Sequence, residues 1–320
     1  MNLKVKIWLI IAAFLILVGG IIFVVVMNKL NWDFTRLSNY DYVTNEYEIN
    51  DEYEDISIVT DTADIVFLPS ENEESLVVCY EQENVFHSVI VMDDTLVIEV
   101  NDERQWYEYI DIGYNKPKIT VYVPEGEYGI LSIRSSTGDV EIPKDLKFES
   151  IDILESTGNV TNYSSVFNDI KINTSTGNIN VENVSGRKFE LTTSTGKISV
   201  NNVVCDNDIN IFVSTGKTNI SDTSCKNIVS RGSTGDIILN NVIATENLSI
   251  KRSTGDVKFE KSDASEIFVK TDTGDVTGSL LTDKVFITQS DTGSIDVPKT
   301  ITGGKCEITT DTGDIKITVD

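Results

Sequence analysis

The chain has 320 residues, 40% of them hydrophobic, with 51 acidic against 26 basic side chains for a formal charge of −25. So acidic a chain, with no basic stripe, is no nucleic-acid binder. His87 is the only histidine and nothing in the sequence marks a nucleophile beside it, which leaves Ser-His or Cys-His catalysis without support.

The first six residues carry Lys4 and Lys6, and residues 7–27 then run for 21 positions without a charge. About 20 apolar residues span a bilayer core as a helix. Lys4, Lys6 and the amino terminus before the run, against Lys29 and Asp33 after it, orient the N-terminus inward. A cleaved signal peptide is the rival reading, but no small-x-small site follows, no lipid-attachment cysteine is present and the run exceeds a usual signal core. The expectation is a cytoplasmic segment 1–6, a transmembrane signal-anchor helix 7–27 in the lipid bilayer, and everything beyond it outside the cell.

Residues 28–130 read as an acidic, β-rich lead-in. Strand-like runs occur at Ile56–Ile58, Asp64–Phe67, Ser75–Val78, Leu96–Ile98 and Lys118–Val123. Asp61-Thr62-Ala63-Asp64-Ile65 looks like a degenerate copy of a corner that recurs later. An irregular cap is expected here, since the end of a stacked fold would otherwise expose unpaired edges. Residues 30–130 hold 24 acidic and 4 basic side chains, a balance of −20, whereas residues 131–320 hold 27 and 19, a balance of −8. Such a surface attracts divalent cations or cationic peptides, or serves solubility alone. Aromatic residues gather at Tyr40, Tyr42, Tyr47 and Tyr53, and at Trp106, Tyr107, Tyr109 and Tyr114 beside Glu108 and Asp111. They suit either a sugar- or cation-binding face or the edge of a core.

From residue 131 a Ser/Asp-Thr-Gly motif recurs ten times, with glycines at 138, 158, 177, 196, 216, 235, 255, 274, 293 and 313, each step being 19 or 20 residues. Two residues past the glycine stands Val140, Val160, Ile179, Ile198, Thr218, Ile237, Val257, Val276, Ile295 or Ile315, and before it come pairs such as Leu131/Ile133, Ile151/Ile153 and Ile170/Ile172. The period of two marks half-buried strands, and the fixed repeat marks coils that bury their apolar sides on one another. The fold class is therefore all-β: a single-stranded parallel β-helix or solenoid of about ten coils over residues 131–320, right-handed as parallel crossovers usually are.

Three motifs invite chemistry. Asp272-Thr273-Gly274, Asp291-Thr292-Gly293 and Asp311-Thr312-Gly313 spell the aspartic-protease signature, but the corner already explains them. Gly216-Lys217-Thr218 lacks the first glycine of a phosphate loop, Ile211 standing in its place. If coils stack in sequence, Asp272, Asp291 and Asp311 form a column with Asp275 and Asp314 nearby, an oxygen set that suits Ca²⁺; a solvated corner is the alternative. No other cofactor is expected. Cys205 and Cys225 each fall nine residues after their glycine and so stack, either as a disulfide or as buried thiols, and Cys306 reads as a buried hydrophobe.

A short basic start, one anchor helix, an acidic β lead-in with Val123-Pro124-Glu125 and then Ser-Thr-Gly-Asp-Val repeats resemble the "putative adhesin" β-repeat family of Gram-positive bacteria, which includes LiaG-like and YvlB-like proteins. The resemblance implies a β-helical protein of the cell envelope, with "adhesin" a fold-level label, and LiaG-like members are associated with envelope-stress modules. The expected function is a non-catalytic, membrane-anchored binding scaffold whose partners are cell-wall glycan, a cationic peptide or a membrane protein. The alternatives are an accessory of an envelope-stress response and, since carbohydrate-cleaving β-helices use Asp, Lys and Arg on one outer face, a polysaccharide-active enzyme.

Overall fold

The computed structural model describes residues 3–33, 41–105 and 116–320. Leu3–Lys29 is one helix. An 18-residue window of its Lys4–Lys29 portion has a mean hydropathy of 3.3 and no buried residue, a length and composition that suit a membrane span or a signal sequence.

The remaining described residues form a parallel β-solenoid of about ten turns. Strands that precede the corner glycine stack in one parallel sheet, so that Ile151 lies between Leu131 and Ile170, and Ile209 between Phe189 and Ile228. Strands that follow it stack in a second, with Ile179 between Val160 and Ile198. A third face carries Val184 beside Val203. In all three the β-branched residues alternate inward, and Val160, Ile170, Ile179, Ile198 and Ile237 are fully buried. Stacking like on like along the axis gives each coil the same apolar floor and ceiling, which the 19- or 20-residue period anticipates.

The rod begins earlier than the expected boundary at 131. Asp55–Thr62 and Asp64–Pro69 already form a coil, paired in parallel with residues 131–137 and 140–141 some 75 positions later. The Ala63 N–H donates to the Thr137 carbonyl at 3.0 Å, so Asp61–Ile65 is indeed the first corner. Between these two coils the chain leaves to build the cap. Ser75–Gln82 runs antiparallel to Tyr42–Ile49 on one side and to Lys118–Val123 on the other, while Val85–Met92 and Thr95–Asp102 form an antiparallel hairpin.

At the far end the coils do not stack in sequence order. Residues 267–273 pair with 306–312, and these in turn with Lys284–Thr292. The last coil of the chain is thus inserted beneath the one before it. Two features hold this order. Gly304 is pressed against the Ser265 carbonyl, where a Cβ would sit 1.7 Å from its oxygen, and Gly303 has φ 100°. Above them Lys284 Nζ reaches Asp263 Oδ1 at 2.6 Å, with Lys284 and Asp263 only 3% and 7% exposed. A buried ion pair that crosses the inserted coil fixes its place, because separating the two charges would leave both unpaired in the interior.

Candidate functional site

The repeated corner is the dominant surface feature. Glycine is required there for two reasons: Gly235 has φ 126°, and a Cβ on it would lie 2.0 Å from the Gly216 carbonyl oxygen of the coil below. Ala63 stands at the first corner of the column, where its N–H reaches the Thr137 carbonyl on one side and Asp64 N–H the Pro117 carbonyl on the other, and among the described residues no Ser/Asp-Thr-Gly corner precedes it.

The residue after the glycine forms a ladder. Asp64 Oδ1 accepts the Asp139 N–H at 2.9 Å, Asp139 Oδ1 the Asn159 N–H at 2.8 Å, and Asn159 Oδ1 the Asn178 N–H at 3.0 Å. The rungs resume from Asp236 to Asp256, Asp275, Asp314 and Ser294. Lys197 and Lys217 interrupt them, and Lys217 Nζ pairs with Asp236 at 3.0 Å instead. A side-chain oxygen that accepts the next coil's amide explains the preference for Asp and Asn at this position without any ligand.

The predicted metal set is placed accordingly. Because of the inserted coil, Asp311 lies between Asp272 and Asp291, where sequence order had put Asp291 in the middle. Asp275 and Asp314 spend a carboxylate oxygen on backbone amides at 2.7 Å each, and Asp291 Oδ1 accepts from Gln289 Nε2. The Asp314 carboxyl is held below the usual carboxylate range by its hydrogen bonds from Ser294. Among the described residues, these five form no group whose ligand atoms converge within 4.8 Å.

Cys205 and Cys225 occupy adjacent coils as expected, each buried and each a free thiol. Cys205 Sγ donates to the Arg187 carbonyl at 3.3 Å and Cys225 Sγ to that of Asn227 at 3.5 Å. Burial pushes the two thiols up to about 11 and about 12. In-register neighbours on parallel strands hold their Cβ atoms about 4.8 Å apart, wider than the roughly 3.8 Å a disulfide favours. Cys306 is buried as expected. Tyr40 and the Trp106–Tyr114 aromatic group lie outside the described residues, whereas Tyr42 stacks on Tyr80 and Tyr53 on Tyr128, lining the cap.

Sequence reasoning missed a column inside the corner. Thr174, Thr193, Thr271 and Thr310, three residues before their glycines, are fully buried and donate Oγ1–H to the corner carbonyl one coil back. The same position holds Glu155 and Arg252, 1% and 3% exposed. Burial lifts the Glu155 carboxyl to about 7 and lowers the Arg252 guanidinium to about 10. A return corner was missed too, although its signal is legible: six residues after the glycine stand Asn183, Asn202, Asp222, Asn241 and Lys261, all at φ 47–58°.

A family model described as Toastrack DUF4097 matches residues 53–216 and 204–320. The chain belongs to the Toastrack DUF4097 family. Among solved structures this Toastrack chain is similar to a "putative adhesin" from Parabacteroides merdae ATCC 43184, with a TM-score of 0.50 and 14% identity over 77% of this chain and 98% of that one. It is also similar to a "putative adhesin" from Bacteroides fragilis NCTC 9343, with a TM-score of 0.44 and 17% identity over 87% and 97%. A "putative lipid binding protein" from Parabacteroides distasonis ATCC 8503 gives a TM-score of 0.44 and 16% identity over 88% and 98%. No curated protein matches the chain.

Two grooves flank the first coils of the Toastrack rod. One, of about 400 Å³, follows the outside of the corner past Thr62–Asp64, Thr137–Asp139, Thr157–Asn159 and Lys116. The other, of about 710 Å³, crosses the outer face of the cap, with Leu68, Leu76 and Tyr122 as an apolar floor and Glu46, Glu48, Glu71 and Glu74 around it. The floor follows from register: Glu48, Leu76, Tyr122 and Leu68 stand opposite one another on four successive strands.

Proposed function

We propose that this Toastrack protein is a non-catalytic binding scaffold of the cell envelope, held in the membrane by residues 7–27 with its solenoid outside the cell. The observation that carries this reading is the corner column: one outer surface, Ser/Asp-Thr-Gly, is repeated at intervals of about 4.8 Å on a continuously hydrogen-bonded rod. A rigid array of like surfaces suits multivalent attachment, in which contacts that are weak singly become strong together. Surface display predicts that protease added to intact cells removes the solenoid or its anchor-proximal connection. Protection in intact cells, with cleavage only after permeabilisation, would refute the topology.

A second reading rests on the cap groove. Four glutamates around an apolar floor complement a cationic amphipathic peptide or the basic segment of a membrane protein, and would make the protein an accessory that senses or delivers such a partner. Replacing Glu46, Glu48, Glu71 and Glu74 with Gln should abolish retention of a Lys-rich amphipathic peptide and leave attachment through the rod intact. Unchanged retention would rule this reading out.

A further inference from the structure

The interior of the cap holds a group of side chains that neither the rod nor the groove uses. Cys79, Glu81 and His87 are 0%, 1% and 3% exposed. A sulfur, a carboxylate oxygen and an imidazole nitrogen from the three lie within 4.8 Å of one another, and among the described residues no other His/Cys/Asp/Glu group does so. Alternation along Ser75–Gln82 turns Cys79 and Glu81 to the same face, and the turn into Val85–Met92 brings His87 beside them.

The surroundings orient each group. His87 Nδ1 stands 2.6 Å from Glu81 Oε2, and His87 Nε2 stands 2.9 Å from Thr60 Oγ1 on the first coil. Asn45 Nδ2 donates to Glu81 Oε1 at 2.7 Å, and the His87 backbone N–H donates to Oε2 at 2.9 Å. Thr60, His87 and Glu81 follow the hydroxyl, imidazole, carboxylate order of a hydrolytic triad. Yet Thr60 is only 5% exposed, which denies a substrate carbonyl access to its oxygen.

An imidazole nitrogen and a carboxylate oxygen at 2.6 Å share a proton, and a metal ion that took the proton's place would draw on the same two atoms after moving them apart. If Nε2–H is donated to Thr60, the Nδ1 lone pair faces Glu81 and Cys79, which is the tautomer a metal requires. Thiolate and carboxylate would together neutralise a 2+ ion in a dry interior. Tetrahedral bonds of about 2.0–2.3 Å put ligand atoms roughly 3.3–3.7 Å apart, so a bound ion would part His87 Nδ1 and Glu81 Oε2 from their present 2.6 Å while keeping all three ligand atoms inside the 4.8 Å that bounds the group. A set that includes sulfur and imidazole favours Zn²⁺-like ions over Ca²⁺ or Mg²⁺. Thr60 and Asn45 would be the outer partners that hold His87 and Glu81 in place.

We propose that Cys79, Glu81 and His87 bind one Zn²⁺-class divalent ion inside the cap, tying its hairpins to the first coil. The Cys79 thiol proton leaves to solvent as the sulfur–metal bond forms, with no change of oxidation state.

The test uses the full-length chain in detergent, stripped with chelator and titrated with Co²⁺. The expected result is one Co²⁺ per chain, with a thiolate-to-cobalt band in the near ultraviolet that Zn²⁺ abolishes by displacement. Cys79→Ser should lose the band, and His87→Gln should weaken binding by tenfold or more. A Cys205→Ser, Cys225→Ser, Cys306→Ser chain, which keeps only Cys79, should retain it, so the assignment does not depend on the Cys79 variant folding. Absence of saturable binding by a chain with native circular dichroism would overturn the proposal. So would binding without the sulfur band, or a band lost from the chain that keeps only Cys79.

Discussion

Glu155 offers a sharp test of the inner column. Where four other coils place a threonine hydroxyl under the corner carbonyl, this coil places a carboxyl that is 1% exposed, with Oε1 accepting the Thr157 N–H at 3.3 Å and Ser135 of the adjacent coil beside it. Burial is the leading cause of its rise from 4.5 to about 7, against the opposing pull of its hydrogen bonds. Below pH 4.5 the folded and unfolded chains both carry the proton. Between there and pH 7 the unfolded chain releases it while the folded chain keeps it, so stability falls as pH rises. Spread over about 2.5 pH units at about 1.4 kcal/mol each, the loss is about 3–4 kcal/mol, complete just above pH 7. Glu155→Gln keeps the volume and a hydrogen-bond donor but cannot ionise. Urea unfolding of both chains from pH 4 to 8, followed by circular dichroism, should show near-equal stability at the acid end and the variant ahead by about 3–4 kcal/mol at pH 8. Taking the difference between the two chains cancels the titration of every other carboxylate. A difference that stays flat with pH would mean that Glu155 is ionised in the fold, and the reasoning would fail.

Two further outcomes test the corner and the coil order. Gly216→Ala should destabilise by more than about 3 kcal/mol in the same assay, because φ 144° and a Cβ 1.8 Å from the Gly196 oxygen are both unacceptable, whereas Ala63→Gly should cost under about 1 kcal/mol. Nitroxide labels on cysteines at 272 and 311 should broaden each other more strongly than labels at 272 and 291, since the first pair is one coil apart and the second two. The reverse ranking would mean that the coils stack in sequence order.

The sequence made the rod legible because its physics repeats. A β-branched residue two places after each glycine can be buried by the coil above and below only if every coil is alike, and Val140, Val160 and Ile179 are stacked as that demands. It also exposed the Ala63 corner, although 75 residues separate it from the one it touches. The inner column was not legible, because a threonine three residues before the glycine belongs to the same polar run as the exposed motif. Only the stacking reveals that its hydroxyl points at a carbonyl. Likewise Cys79, Glu81 and His87 gain meaning from a hairpin bend that no spacing rule marks.

Coil order was hidden for the same reason that the fold was visible. Repeats that are interchangeable specify stacking without specifying which coil goes next to which: residues 284–296 and 304–319 carry the same Asp-Thr-Gly corner, and either could lie on 267–280. The choice falls to whatever differs between them. Gly303 and Gly304 lack the side chains that would collide with Asp283 and Ser265. Lys284 must clear the inserted strand to meet Asp263 while Thr282 Oγ1 satisfies that carboxylate's other oxygen at 2.6 Å. Stored order in this rod therefore resides in its few non-repeating residues, and the inserted coil leaves the edge of Lys284–Thr292 as the outermost strand, with Ile287 half exposed.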